Sequence, residues 1–208
     1  LWRLPGVLSA RVSTNTPLSG AGWSEKVTID AVTQEREPSF LAVSPQYFLT
    51  LQTAILRGRD FTESDEGSVA RVAIVNETFA RRYFPRRDPI GSHFSASVAT
   101  PSVDLEIVGI VTDVIGNDLR TAPPATVYVP YFQVQVMSQN FSSLQVRVAG
   151  PAAPFADNIR RELQPRMVGT HAGRGRRFFC EACATAGPAV PVDRVLRQPR
   201  AGKRDRRA

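Results

Sequence analysis

The sequence predicts an α+β protein built on mixed β-sheets with a few short helices. Short segments that alternate apolar and polar residues have the period of half-buried strands, and helical spacing occurs at only three places in 208 residues. The order of these segments is not a strict βαβ alternation, which disfavours a wholly parallel sheet. An apolar content of 42% is that of an ordinary globular chain.

The first 45 residues contain three predicted strands and the start of a helix. Val7–Ser13 alternates apolar and polar positions, and residues 26–32 alternate again. Residues 39–43 are interpreted as the hairpin partner of residues 26–32, across a charged turn. Ser44 followed by Pro45 then has the form of a helix start, with a cap residue before a proline at the first helical position.

A buried strand and an amphipathic helix follow. Residues 72–75 are uniformly apolar, and Asn76 after them is a favourable cap for the next helix. Phe79 and Tyr83 lie four residues apart, so one face of this helix is expected to enter the core until Pro85 stops it.

Three further strands and one helix complete the predicted fold. Residues 105–111 are rich in β-branched side chains, and Gly109 among them indicates a bulge or a close backbone approach. Residues 126–129 and 144–148 are two more short strands. Pro154 opens the last helix, whose apolar stripe repeats at intervals of four residues: Phe155, Ile159 and Leu163.

The positive charge of the chain is confined to its C-terminal end. The formal net charge is +7, yet residues 1–165 contain 15 Lys and Arg against 16 Asp and Glu. Residues 166–208 contain the other 11 basic residues against three acidic ones, and only seven Leu, Ile, Val or Phe. So little apolar surface does not offset a backbone entropy of about 1–2 kcal/mol per ordered residue. We therefore expect residues 4–163 to form the folded unit and residues 166–208 to be an Arg-rich disordered tail.

The pair Cys180 and Cys183 is the most suggestive chemical feature, and we interpret it as coincidental. A zinc site needs four ligands, and the rest of the tail offers only His171. A redox pair needs a helix N-terminus or a βαβ context that lowers the thiol pKa, and neither is predicted.

The carboxylates Asp60, Glu63, Asp65 and Glu66 lie close together but lack the alternating spacing and the glycine of a calcium loop. We expect them to form a solvated turn. His93 follows a turn and has no nucleophile motif near it, so a solvated or edge histidine is expected. The sequence therefore predicts no catalytic, cofactor-binding or metal-binding residue and indicates that the chain is not an enzyme.

Nucleic-acid binding through the basic tail is the alternative function. Arginines could contact phosphates, and Phe178 and Phe179 could stack on bases. No recognisable nucleic-acid-binding module precedes them. The basic residues in question are Arg174, Arg176, Arg177, Arg200, Lys203, Arg204, Arg206 and Arg207.

Several segments carry a more specific resemblance to a known family. They resemble, in content and in order, the MacB-like periplasmic core domain of ABC-transporter permeases that also carry an FtsX-like membrane region. In their particular residues, these segments are similar to those of the large duplicated orphan permeases, whose genes lie apart from that of a dedicated ATPase. The resemblance covers about residues 4–163, and its segments are VSPQYFLTL at 43–51, LRGRDF at 56–61, VAIVNE at 72–77, ARRYFP at 80–85, DPIG at 88–91, IVGIVTDV at 107–114 and YVPY at 128–131. In LRGRDF, Gly58 is expected to allow a backbone turn and Phe61 is expected to enter the core.

The resemblance implies a domain of two lobes on the periplasmic side of the cell membrane, between the first two membrane helices of a permease. In that family ATP is hydrolysed on a separate cytoplasmic subunit or domain. The domain itself is non-catalytic, needs no cofactor and couples membrane-helix motion to the handling of substrate or partner protein. The implied partners are the parent permease's membrane helices and a separate ATPase subunit. For the isolated chain we expect at most a weak homodimer.

The resemblance also bears on the origin of the tail. A member of this family is expected to continue past Leu163 into a closing strand and then a membrane helix. Here Arg, Ala, Gly and Pro supply 25 of the 43 residues from Arg166 onward, and the codons of these amino acids are rich in G and C. We interpret residues 166–208 as derived from a frameshift in a domain left incomplete at its C-terminal end, with a genuine basic extension as the alternative.

Overall fold

The structure is a computed structural model. It describes residues 5–16, 23–67, 70–97, 102–114, 122–133, 141–152, 155–156, 158–159, 161 and 177–185. The strands are β1 (Val7–Ser13), β2 (Trp23–Ser24), β3 (Val27–Ile29), β4 (Val32–Thr33), β5 (Ser39–Val43), β6 (Ile55–Gly58), β7 (Val72–Asn76), β8 (His93–Ala96), β9 (Val103–Val111), β10 (Thr126–Pro130), β11 (Phe141–Ala149) and β12 (Arg177–Thr185). The helices are α1 (Tyr47–Leu51), α2 (Glu63–Gly67) and α3 (Glu77–Tyr83).

The described strands form one mixed sheet. Their order is β12-β11-β1-β5-β10-β7-β9-β8-β3-β4, while β2 pairs with β5 and β6 pairs with β9. β10 runs parallel to β5, β7 to β9, and β12 to β11, and the other pairs are antiparallel. The predicted α+β class with mixed pairing is therefore confirmed. The two-lobed arrangement stays a prediction.

Apolar side chains gather in three core clusters. The first lies around Phe79 of α3, which is fully buried, and includes Phe94, Ile107 and Val127. The second joins α1 to the sheet through aromatic residues: Tyr47, Phe48, Phe61 and Tyr128. The third draws its buried residues only from β1, β11 and the segment after β11: Ala10, Leu144, Val146, Val148 and Ile159.

The hairpin partner of β3 differs from the prediction. The chain turns back at Asp30 and Ala31, whose φ angles of 50° and 63° lie in the left-handed region, and β4 pairs with β3. Two such residues form the turn that suits a two-residue hairpin. β5 pairs instead with β10 and β2. The predicted hairpin between residues 26–32 and 39–43 is wrong, because the alternating pattern continues across a turn inside it.

Helix α1 begins two residues later than Ser44 and Pro45 suggested. Gln46, with a φ of 62°, occupies the N-cap position and makes no side-chain cap. The hydroxyl of Ser44 accepts a hydrogen bond from the backbone N–H of Val12 on β1 at 3.0 Å instead. Ser44 therefore joins two strands rather than capping a helix.

The last predicted helix is confirmed in the residues that the structure describes. Positions 155, 156, 158, 159 and 161 are helical. Ile159 is buried in the third cluster and Phe155 packs against it, whereas Leu163 lies outside the described residues. None of the helices in the described part of the chain is long and apolar enough to span a bilayer.

The structure also places nine tail residues in the sheet. β12 lies beside β11, from Arg177 next to Phe141 to Thr185 next to Ala149. Here the structure differs from the expected disorder, because six of these nine residues are apolar, in a local run that the composition of the whole tail hides. The other residues of the segment 166–208 lie outside the described residues, and for them disorder stays a prediction.

Asn76 caps α3 as predicted, and its side chain does more than that. Its Oδ1 accepts hydrogen bonds from the backbone N–H of Phe79 at 3.0 Å and of Thr126 at 2.8 Å. Its Nδ2 donates to the carbonyl of Pro124 at 2.8 Å. One buried amide therefore joins the end of β7, the start of α3 and the start of β10.

We predict that Asn76→Ala lowers the free energy of unfolding by about 3 kcal/mol, because each buried polar group left without a partner costs about 1–3 kcal/mol. Urea denaturation at neutral pH measures this. Gln34→Ala is the control, since that amide makes an exposed hydrogen bond within its own turn, to the carbonyl of Val32, and should change stability by less than about 0.5 kcal/mol. Equal effects of the two substitutions would contradict the role of Asn76.

Candidate functional site

The segment Arg57-Gly58-Arg59-Asp60-Phe61 makes a very close backbone approach to β9. Gly58 has a φ of 74°, and a Cβ there would lie 2.2 Å from the carbonyl oxygen of Val108. Its register partner on β9 is Gly109, where a Cβ would lie 2.5 Å from the carbonyl oxygen of Arg59. The predicted turn at Gly58 and the predicted close approach at Gly109 are both confirmed, and they are the same contact.

Beyond this contact, a carboxylate organises the loop. Arg59 donates to both oxygens of Asp65, at 2.7 and 2.9 Å. Thr62 donates to Asp65 through its backbone N–H at 2.8 Å and its hydroxyl at 2.9 Å. These donors hold the pKa of Asp65 below its usual value, chiefly through Arg59. The Asp65 side chain is only 9% exposed, so the predicted solvated turn is wrong at this residue.

The other acidic residues of this loop have separate surroundings. Asp60 accepts a hydrogen bond from the backbone N–H of Phe61 at 2.7 Å, and burial raises the pKa of its carboxyl. Phe61 is buried in the second cluster, as its place in the motif predicted. Burial also raises the pKa of Glu66. Within the described residues no group of three or more His, Cys, Asp or Glu could hold a metal ion.

Gln133 fastens the same loop to the segment after β10. Its buried side-chain Nε2 donates to the carbonyl of Asp65 and, at 2.9 Å, to the carbonyl of Ala70. Arg71 donates in turn to the carbonyl of Gln133. One glutamine thus holds this loop at Asp65, within α2, and at Ala70, after it. No sequence pattern indicated this residue.

A second unpredicted residue, Asp113, follows β9 and holds the first turn of α3. It accepts hydrogen bonds from the backbone N–H of Thr78 at 2.9 Å and from its hydroxyl at 2.8 Å. Arg81 donates to it at 2.9 Å. The sequence signal for Asp113 was a carboxylate two residues after a buried strand. Its partners lie on a helix more than 30 residues earlier, so sequence proximity does not indicate them.

His93 is solvated, as predicted. Its side chain is 56% exposed, and its Nδ1 lies 2.8 Å from Asp104 on the neighbouring strand. Cys180 and Cys183 lie on β12, beside Leu144 and Arg147 in register. His171 lies outside the described residues, and the interpretation of the cysteine pair as coincidental stays a prediction.

These contacts have one chemical character. The well-buried carboxylate Asp65 and the buried amides Asn76 and Gln133 bond to backbone groups and to fixed side chains of the same domain. Tyr128 is buried as well, and burial keeps its pKa far above the usual range, so the phenol stays neutral. These polar groups therefore help to determine the shape of the domain, and the class that the fold defines is an α+β domain built on one mixed sheet.

Comparison with known proteins assigns the chain to a family. Residues 4–163 match the MacB-like periplasmic core domain, and the chain belongs to this family. A stretch of 90 residues is 27% identical to the macrolide export ATP-binding/permease protein MacB of Marinobacter nauticus. That stretch is 43% of this chain but only 13% of the length of the relative.

Two solved structures share the fold. The periplasmic region of MacB from Actinobacillus actinomycetemcomitans superposes with a TM-score of 0.59 at 17% identity, over 80% of this chain and 70% of that one. A domain of a permease protein from Porphyromonas gingivalis superposes with a TM-score of 0.53 at 16% identity, over 79% and 72%. The family that the sequence segments resemble is therefore confirmed.

We predict that Gly58→Ala destabilises the domain far more than Gly91→Ala. The two glycines have almost the same φ, 74° and 73°, but a Cβ at Gly91 meets nothing within 4 Å. Gly91→Ala should cost only the left-handed strain of about 1–2 kcal/mol, whereas Gly58→Ala adds a clash with β9 worth about 1–3 kcal/mol more. Thermal and urea unfolding measure both values, and equal losses would show that β9 moves away freely.

A further prediction concerns the acid limb of stability. Above the ordinary Asp pKa of about 3.9, the ionised Asp65 contributes its full stabilisation, and Asp65→Asn should cost about 2 kcal/mol. As the pH falls through the lowered pKa of Asp65 in the folded protein, this contribution is lost. The stability difference between wild type and variant should therefore be constant above about pH 5 and shrink toward pH 2.

The matched control for this titration is Asp88→Asn. Asp88 also pairs with an arginine, Arg57, but both side chains are at least half exposed, and an exposed pair contributes little. Urea unfolding from pH 7 to pH 2 should show a much smaller difference for this variant. A difference for Asp65→Asn that does not shrink at low pH would rule out the charged pair as its cause.

Proposed function

We propose that this chain is the extracytoplasmic core domain of an ABC-type transporter permease. In this role it couples the motion of the permease's membrane helices to the handling of substrate or partner protein outside the membrane. The observation that carries the proposal is the family match over residues 4–163. The relative from Marinobacter nauticus is an ATP-binding/permease protein, and the chain corresponds to a small part of it.

The domain itself is proposed to be non-catalytic. Asn76 and Gln133, two buried amides of the described residues, donate hydrogen bonds to the domain's own backbone. ATP hydrolysis then belongs to a separate cytoplasmic subunit or domain that acts through the membrane helices. Self-association of the isolated chain is expected to be weak, because membrane helices would supply most of the effective concentration for pairing.

A domain that couples motion must be rigid where force passes through it. Several contacts provide this rigidity. β7, α3 and β10 are held together at Asn76, where one amide joins two strands and a helix. The backbone of Gly58 lies so close to β9 that no side chain fits at this position. The loop after β6 is fastened by the four donors of Asp65 and by Gln133.

The basic tail is proposed to lie outside this function. The family match ends at residue 163, before the cluster of arginines begins. Nucleic-acid binding, the alternative function, is supported neither by the family nor by the structural neighbours. We retain the proposal that residues 166–208 arise from a frameshift.

The location is tested in the intact parent permease. An epitope inserted at the exposed turn of Asp30 and Ala31 should be reached by an antibody on spheroplasts, while an epitope on the ATPase subunit stays protected until lysis. An epitope that is protected in intact spheroplasts would overturn the location.

Coupling is measured separately, in liposomes that contain the permease and its ATPase. An antibody fragment against residues 4–163, added on the side opposite to ATP, should change the rate of hydrolysis at least twofold. A fragment against an unrelated epitope tag at the permease terminus is the control. Binding without any change in rate would leave the location standing and overturn the coupling.

A further inference from the structure

We propose that the domain bends at a polar seam between β1 and β5. The seam is defined by the contact of β1 with β5 and by the polar face of β1 and β11 that lies under α1. On one side are β1, β11, β12 and the third core cluster, here called the near side. On the other are β5, α1 and the rest of the sheet, here called the far side. This inference deepens the proposed coupling role and rests on it for its biological meaning.

The pairing of β1 is strongly unequal on its two edges. With β11 it is paired from Val7 beside Val148 to Ser13 beside Ser143, with one register shift between Val7 and Ser9. With β5 its register is the single pair of Ser13 and Val43. By comparison, β5 and β10 remain paired along their whole common length. The sheet is therefore continuous, but it is joined at the β1–β5 edge by the least strand pairing along its central strands.

Beyond that pair, the β1–β5 edge is held by a few hydrogen bonds at the strand ends. The backbone N–H of Ser44 donates to the carbonyl of Val12 at 2.9 Å, and that of Thr14 donates to the carbonyl of Ala42 at 2.9 Å. Two side-chain hydroxyls add to them. Ser44 Oγ accepts from Val12, and Thr14 Oγ1 accepts from Ala42 at 3.2 Å.

Among the side chains that the structure describes, no hydrophobic cluster spans this edge. The buried members of the third cluster all come from the near side, and those of the first and second clusters all come from the far side. Because each side buries its own apolar residues, bending at the seam does not require either core to open.

The surface between the two sides is polar. Ser9, Arg11 and Ser13 alternate along β1, and their register partners on β11 are Arg147, Gln145 and Ser143. α1 lies against this face but belongs to the far side, because Tyr47 and Phe48 are members of the second cluster. Its contacts to the near side are hydrogen bonds: Arg11 donates to the Gln46 side chain, and Arg147 donates to the carbonyl of Leu49 at 3.3 Å.

Several atoms of this face are buried without a hydrogen-bond partner in the described part of the chain. They are Ser9 Oγ, Gln145 Oε1 and Arg147 Nε, and Gln145 is fully buried. Burying a polar atom without a partner is unfavourable, and contact with water removes that penalty. Opening the seam would therefore lose a few hydrogen bonds but satisfy these atoms, which keeps the closed and open forms close in free energy.

The position of the seam suits a coupling domain. β1 and the helix after β11 lie near the two ends of the family match at residues 4 and 163. If the membrane helices of the parent permease join there, their motion reaches the near side first. α1, bonded to the near side by two arginines and to the far side by its aromatic residues, would carry that motion into the rest of the sheet.

Hydrogen exchange followed by NMR on the full chain tests this directly. The seam amides are those of Val12, Thr14 and Ser44. We expect them to exchange at least tenfold faster than the paired amides of the β1–β11 ladder on the near side and of the β5–β10 ladder on the far side. Seam amides as slow as both ladders would show a rigid junction. A β1–β11 ladder as fast as the seam would show unfolding of the near side. Either result overturns the proposal.

A substitution provides a second readout. Gln145→Leu removes the unpartnered Oε1 and also the hydrogen bond that Nε2 donates to Ser13 Oγ, whose hydroxyl keeps its bond to the carbonyl of Asn15. Because the unpartnered oxygen is unfavourable in the closed form, its loss should slow exchange of the seam amides at least threefold and leave the β5–β10 ladder unchanged. Gln34→Leu, on an exposed turn, is the matched control and should leave the seam unaffected. If Gln145→Leu does not fold, the exchange rates of the seam and ladder amides in the wild-type chain decide the test on their own. The experiment requires no transport, so its failure is distinct from failure of the proposed function.

Discussion

The buried side chain of Asn76 is the constraint on which the centre of this domain depends. It stands where a strand becomes a helix, and its amide also holds the beginning of β10 beside them. With β7 fixed between β10 and β9, the parallel and antiparallel pairings on either side of it are set. The first core cluster forms around Phe79, three residues later. A residue that satisfies three backbone groups in the core leaves little freedom for alternative arrangements.

The polar residues around the loop after β6 are also bonded to groups of the domain itself. The bonds of Asp65 to Arg59 and Thr62 hold the loop after β6, and Gln133 fastens that loop to the segment after β10. These groups are bonded within the domain. A protein that transmits motion needs such internally bonded groups, because they keep the distances between its surfaces constant.

Rigidity within each side and weakness between the sides are complementary properties. In the described part of the chain, the β1–β5 edge has one register pair, no shared apolar cluster and a polar surface with unpartnered atoms. A sheet with apolar packing across every edge would move as one body. In the proposed hinge, deformation occurs at the β1–β5 edge. This edge lies next to β1, and the helix after β11 packs on the same side, near the end of the family match.

The sequence by itself determined the properties that depend on neighbouring residues. The cap at Asn76, the buried face at Phe79, the turn at Gly58 and the strand β1 all follow from short-range periodicity and from backbone preferences. The ordered segments that contain them also pointed to the family. Partner choice was decided only by the tertiary structure: β5 pairs with β10 rather than with β3, and Asp65 and Asp113 bond to distant donors. These contacts join residues far apart in the chain. The free energy that stabilises them comes from burial in the folded protein, which no local sequence pattern indicates.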